Sequence, residues 1–397
     1  MTPPEVYLVR QPMANPFVHG AHRRQTSDSV VLSWTRGGFT GIGECAPRRY
    51  VTAEDCESVL AELRRIDFAQ LARALASGDP LDRGRDLHEQ GLPSLSGQAV
   101  GNNTRCLVEM AILDTLAQQA DLPLSDFLLR IASPARAARR ALPAQVNITQ
   151  VLDLSQPVQA FLEQRKPRGS LKLKLAGEAQ ANRQRLHGIR ALAPDLALYV
   201  DPNMSWSPQQ LRDSARPFAE LGVTLFEEPL PRGSLEDYRQ ARLEHGARIM
   251  LDESVSSPAS LEKALQHQAL DAVNLRIAKC GGLLTTAKMI EQCQQWGLPV
   301  YLGVQVAEVG PLIAAHRALL TACDGFMGVE AGQHDRFFDG NLLEPMPAID
   351  RLHNAIDLPV PTQPGLGCRL TPRVLPYRTA IDADRYPNDP LHMERAQ

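Results

Sequence analysis

The chain has 397 residues, 44% of them hydrophobic and 22% charged, with a formal net charge of −3. That length exceeds one small core and suits a barrel with a smaller companion domain, while the slight negative charge offers no basic surface for nucleic acid or an anionic membrane. No run of about 18 apolar residues occurs, so no segment is expected to span a bilayer; seven cysteines without paired spacing, and no secretory pattern over Met1 to Arg10, fit a cytoplasmic protein.

The first stretch reads as strands. Residues 6–9 and 29–34 are β-branched and apolar, and a polar loop over residues 15–28 separates them. Gly37-Gly38 marks a hairpin turn into residues 40–44. Residues 53–65 turn helical, with Thr52 as the expected N-cap and Glu54 and Asp55 in the first turn. Residues 105–119 form a second helical run with an apolar face. Residues 1–135 are therefore expected to be an α+β domain.

Over residues 136–345 short apolar runs alternate with helical ones. The runs are 145–148, 171–175, 196–200, 223–226, 248–251, 272–277, 300–302 and 326–329. Eight strands alternating with helices predict a (β/α)8 barrel of the TIM type. A doubly wound sheet would carry a Gly-rich phosphate loop after its first strand, and none follows Ile148. Residues 346–397, rich in Pro and Gly, are expected to return to the first domain and complete it.

Polar residues close successive barrel strands: Lys174, Asp201, Glu227, Asp252 and Arg276, spaced 24 to 27 residues apart. One βα unit has about that length, and a barrel gathers its strand C-termini around one mouth. Asp201, Glu227 and Asp252 would then form a cluster that repels itself unless a cation intervenes. Oxygen-only ligands favour Mg²⁺, with Mn²⁺ an allowed substitute. A lone strand-end Asp often does no more than cap the next helix; three in register argue for a site. Lys172 and Lys174 share one strand face by period-2 alternation. Two adjacent ammonium groups are expected to depress each other's pKa, which would suit a general base near neutrality.

These motifs resemble the enolase superfamily, in the mandelate racemase/muconate lactonizing enzyme family and its muconate cycloisomerase-like branch. The similarity runs over nearly the whole chain: Gly41-Ile-Gly-Glu-Cys-Ala-Pro47, Lys172-Leu-Lys174, Asp201-Pro-Asn-Met-Ser-Trp206, Phe226-Glu-Glu-Pro-Leu230, Asp252-Glu-Ser254 and Ala278-Lys-Cys-Gly-Gly282. The resemblance implies a modified barrel under a capping domain. It implies Mg²⁺ held by Asp201, Glu227 and Asp252, supported by Asn203, and stabilising the enolate of a carboxylate substrate. Lys174 would be the base, with Lys172 tuning it or touching substrate. Relatives are often multimers, so a homo-oligomer is expected.

One departure shapes the reading of function. Muconate cycloisomerase-like relatives carry a second catalytic lysine on the sixth strand, and that position here is Arg276, a poor base because it stays protonated. Arg276 could grip a carboxylate or pair with Glu253. Lys279, three residues on, is a candidate substitute. The seventh-strand region lacks a His base; Gln305 and Glu308 are expected to line the pocket, and His316 to lie on the following helix as a surface or packing residue. The first-domain loop with Arg23 and Arg24 resembles the segment that closes over the site, and its cations suggest a second anionic group on the substrate. One-base cycloisomerisation or dehydration of a carboxylate is the leading expectation. A racemase or epimerase of N-acyl amino acids or dipeptides is the alternative, and a non-catalytic metal-binding barrel the third.

Overall fold

The computed structural model describes residues 3–19, 22–95, 97, 99–132, 143–176, 178–330, 332 and 334–381. Three antiparallel strands, Glu5–Val9, Ser29–Arg36 and Phe39–Cys45, form the N-terminal sheet, and Arg378–Thr379 from the tail adds beside the first. The hairpin turns at Gly37 (φ 57°) and Gly38 (φ 84°), left-handed positions that glycine fills without steric cost.

Helix Asn102–Gln119 packs on this sheet, and its approach explains two glycines of the Gly41–Pro47 motif. A Cβ on Gly41 would enter the carbonyl of Ala111, and one on Gly43 the carbonyl of Leu107. A Gly43→Val variant is therefore expected to lose about 3 kcal/mol or more, since the obstacle is helix backbone and cannot rotate away. Urea unfolding checks this; an unchanged midpoint would mean the sheet and helix stand further apart.

Two local expectations are corrected. Residues 15–28 are largely not loop: Pro12–His19 pairs with His22–Thr26 as an antiparallel ribbon. An apolar anchor of the ribbon is Phe17, buried and edge-on to Phe337 at 6.0 Å, an aromatic contact that helps hold it in place. Thr52 is not an N-cap either. It ends the short helix Arg49–Thr52, and the next helix, Cys56–Leu63, is capped by Asp55. The Asp55 carboxylate accepts from Ser58 N at 2.8 Å, while Ser58 Oγ accepts from Asp55 N at 3.0 Å, a reciprocal box that Thr52 lies too early to form.

Eight parallel strands follow: Gln150–Leu152, Ser170–Lys174, Ala197–Asp201, Val223–Glu227, Ile249–Leu251, Ala272–Leu275, Val300–Leu302 and Phe326–Val329. Thr149 N donates to Val329 O at 2.8 Å and joins the two ends of the series. The expected first strand, residues 145–148, is displaced. Gln145–Asn147 pairs antiparallel with Ala355–Asp357 outside the barrel. Gln145 and Asn147 are exposed, whereas a parallel barrel strand is covered on both faces; Gln150–Leu152 meets that demand.

Period-2 alternation sets the barrel interior in layers. Tyr199, Leu225 and Met250, each two residues before a carboxylate, join Ala272 and Tyr301 in one buried apolar cluster. Asp201, Glu227 and Asp252 therefore point the same way one level higher, at the strand C-termini.

Carboxylates from the N-terminal domain fasten it to the barrel. Glu44 accepts from the amides of Val309, Gly310 and Leu312 at 2.8, 3.1 and 3.0 Å, where helix Pro311–Ala322 begins. Glu109 accepts from Leu284 N at 3.0 Å at the start of helix Leu283–Gln295. Each meets donors that a helix N-terminus leaves unpaired, with a favourable dipole. Among the described residues no helix is long and apolar enough to cross a membrane.

Candidate active site

The three carboxylates sit together with three cations at the barrel mouth. Asp201, Glu227 and Asp252 are each at most 1% exposed. Lys174 Nζ contacts Asp201, and adjacent-strand register sets the two residues directly opposite one another. Lys172 Nζ lies 2.9 Å from Glu227 Oε2 and 2.5 Å from Glu330 Oε1. Arg276 pairs with Asp252 and stands 3.9 Å from Glu227. With Glu330 and with Lys279, which pairs with Asp252, four buried carboxylates meet four buried cations, the condition under which burial of charge is tolerated.

The donor set suits a hard cation: it is all oxygen, from three consecutive strands, with Glu227 Oε2 and Asp252 Oδ2 each facing a cationic side chain and Asn203 Oδ1 buried with no hydrogen bond among the described residues. In this arrangement the cationic side chains neutralise the carboxylates, and among the described residues no three acidic, His or Cys side chains are grouped closely enough to hold an ion as they stand. Asn203 supports the site through its backbone, its N donating to Asp201 Oδ1 at 2.9 Å. Asn274 Nδ2 donates to Glu227 Oε1 at 2.8 Å, and Glu228 accepts from Asp252 N at 2.8 Å.

The expectation that the paired lysines lower each other's pKa fails for Lys172. Burial pulls its pKa down, but Glu227 and Glu330 outweigh burial and hold the ammonium well above the ordinary range. Glu330, one residue beyond the eighth strand, escaped the sequence reading. Extending the strand-end rule by that strand would have found it.

Lys279 is fully buried, with Nζ donating to Asp252 O and Oδ1 and to Asn274 O at 2.6, 2.8 and 2.7 Å. All three ammonium protons are spent on positioning, and burial pulls its pKa down to about 8. Its ammonium is thereby held against Asp252 and Asn274. Arg276 does not pair with Glu253; its Nη1 donates to Gln305 Oε1 at 2.9 Å. Neither buried oxygen of Glu253 has a hydrogen-bond partner among the described residues, and burial followed by repulsion from Glu228 pushes its carboxyl to about 8.

An open cavity adjoins Lys172 and Lys174. Phe17, Val151, Val304, Val306, Ala307 and Phe337 give it apolar walls, and Gln305 and Glu308 also line it. Glu308 takes Gln305 N at 2.7 Å on one oxygen; burial, then Glu44, drives its carboxyl well above the usual range. Sequence reasoning missed Phe17 and Phe337 because aromatic residues give no polar signal. His316 is a packing residue, 1% exposed, on the helix behind. Arg23 and Arg24 do not line this cavity. They border a separate cleft of the N-terminal domain with Arg48.

Such a constellation on a barrel under an α+β cap defines a class of enzyme with its site at a strand-end mouth. Residues 157–374 match the Enolase C-terminal domain-like family; the chain belongs to it, as an enzyme of the enolase superfamily in the mandelate racemase/muconate lactonizing enzyme group. It is 26% identical to a hydrophobic dipeptide epimerase of Citrifermentans bemidjiense over 91% of this chain and 95% of that one. It is 24% identical to a chloromuconate cycloisomerase of Pseudomonas putida, covering 94% and 98%. A dipeptide epimerase structure from Cytophaga hutchinsonii, complexed with Mg and D-Ala-L-Val, superposes with TM-score 0.78 at 19% identity, covering 95% of this chain and 97% of that one.

Proposed function

We propose that this enzyme removes the α-proton of a small carboxylate with Lys174 and completes the reaction with a single base, as a cycloisomerase or a dehydratase. The observation that carries the reading is Arg276. It directly follows the sixth strand, tied to Asp252 and Gln305, and a guanidinium neither gives up nor returns a proton in the working pH range. Lys279, the other candidate, has its three donors committed. Asp201, Glu227 and Asp252 would hold Mg²⁺, which supplies Lewis-acid stabilisation of the charge appearing on the substrate carboxylate. Lys174 faces the cavity and holds or moves the proton; Lys172 keeps Glu227 and Glu330 in place. Arg276 and Gln305 orient the substrate, and the apolar walls limit water near the reacting carbon.

The alternative, epimerisation of dipeptides or N-acyl amino acids, is supported by the names of several relatives, the Citrifermentans bemidjiense enzyme among them. It requires a proton donor on the face opposite Lys174. Incubation of a carboxylate library with enzyme and Mg²⁺ in D2O, followed by mass and chiral analysis, separates the two. Ring closure or loss of water, with no inversion at the α-carbon, is the expected result. Deuterium entering with inversion would overturn the one-base reading and establish the epimerase.

A further inference from the structure

The cleft that takes Arg23 and Arg24 away from the catalytic cavity has a charge pattern of its own. Five arginines border it: Arg10, Arg23, Arg24, Arg48 and Arg49. Three carboxylates share the cleft, and each is already paired. Arg24 lies 2.5 Å from Asp28, Arg10 lies 3.4 Å from Glu57, and Arg49 contacts Asp55. Two cations remain over. Arg23 is exposed and makes no ion pair among the described residues.

Arg48 is the more telling of the two. It is 3% exposed and has no carboxylate partner among the described residues. Its Nη1 donates to Asp28 O and Pro47 O, and its Nη2 to Val306 O, all at 2.8 Å. A guanidinium has five N–H groups, so Nε–H and one Nη2–H have no acceptor among the described residues, on a side chain that borders the cleft. Carbonyl dipoles solvate a cation without neutralising it, and a buried charge lacking a counter-ion is costly. Burial and then the neighbouring Arg24 pull its pKa down to about 10, so it still carries its charge at neutral pH.

We infer that this cleft is a binding site for a small oxyanion, phosphoryl or carboxylate in type, held between Arg23 and the free N–H groups of Arg48 and separate from the catalytic cavity. The oxyanion would supply the counter-charge that Arg48 lacks, through charge-assisted hydrogen bonds of the kind guanidinium forms well. Through Arg48 it would stand one hydrogen bond from Val306, which walls the catalytic cavity. The inference does not depend on which reaction the enzyme performs.

Titration calorimetry of the full chain with inorganic phosphate, and separately with succinate, tests it. The wild-type protein should bind at least one of them saturably at one equivalent. Tighter binding of phosphate points to a phosphoryl ligand and tighter binding of succinate to a dicarboxylate; either supports the site. Arg23→Glu should weaken binding at least tenfold, Arg23→Lys should restore most of it, and Lys174→Ala should leave it unchanged. Absence of saturable binding by both anions would overturn the site. So would binding that survives Arg23→Glu but disappears in Lys174→Ala, because the anion would then lie in the catalytic cavity.

Discussion

Replacing Lys174 with alanine is expected to cut exchange of the substrate α-proton with solvent by about 10²–10⁴-fold, the usual contribution of a positioned acid or base. Lys174 is the lysine bordering both the cavity and a single carboxylate, Asp201. Lys172 is built differently, between Glu227 and Glu330 with its ammonium 5.2 Å from the centre of the Tyr301 ring. Lys172→Ala strands two carboxylates in the barrel, a change that costs about 3–5 kcal/mol for a broken buried pair. Lys174→Ala leaves Asp201 with Lys172 at 3.9 Å, so the two variants should separate: Lys174→Ala inert in deuterium exchange with the smaller fall in melting temperature, Lys172→Ala with the larger one. Exchange at the wild-type rate in Lys174→Ala would remove that residue from the chemistry.

Asp252→Asn is expected to weaken Mg²⁺ binding strongly. Altering a residue that merely orients a metal ligand costs about 10–100-fold in affinity, and loss of a direct ligand should cost no less. The substitution also removes a negative charge that faces both Arg276 and Lys279, leaving two buried cations less compensated and the site more repulsive to a divalent ion. Calorimetric titration of metal-stripped protein with magnesium chloride reads the change directly. Unchanged affinity would refute the ligand set. A lower affinity with an unchanged melting temperature in the absence of metal would place the effect in ligation and not in folding.

The chain made its barrel readable because strand period, helix spacing and strand-end polarity all repeat. Asp201, Glu227 and Asp252 could be aligned from their regular intervals, and the parallel register keeps each near the end of its strand. The first barrel strand was misplaced because Gln145–Asn147 and Gln150–Leu152 have similar local patterns; only burial on both faces separates them, and burial is a tertiary property. Lys279 shows the same limit. Its distance from Arg276 along the chain is short, yet the turn after the sixth strand sends its ammonium against Asp252. Pairing of Arg48 with a backbone carbonyl 258 residues away has no signature in a single sequence.

The bonds from Glu44 and Glu109 across to two barrel helices bear on how such proteins can be recombined. A barrel cut free of its cap would leave the helices after strands six and seven with bare N-termini. Those strands carry Arg276 and lead into the segment that walls the cavity. A graft that exchanges caps between relatives must therefore bring both carboxylates at their original places, or the donor enzyme's specificity will arrive on a misaligned floor. In this molecule the unit of inheritance is the interface, and neither domain alone.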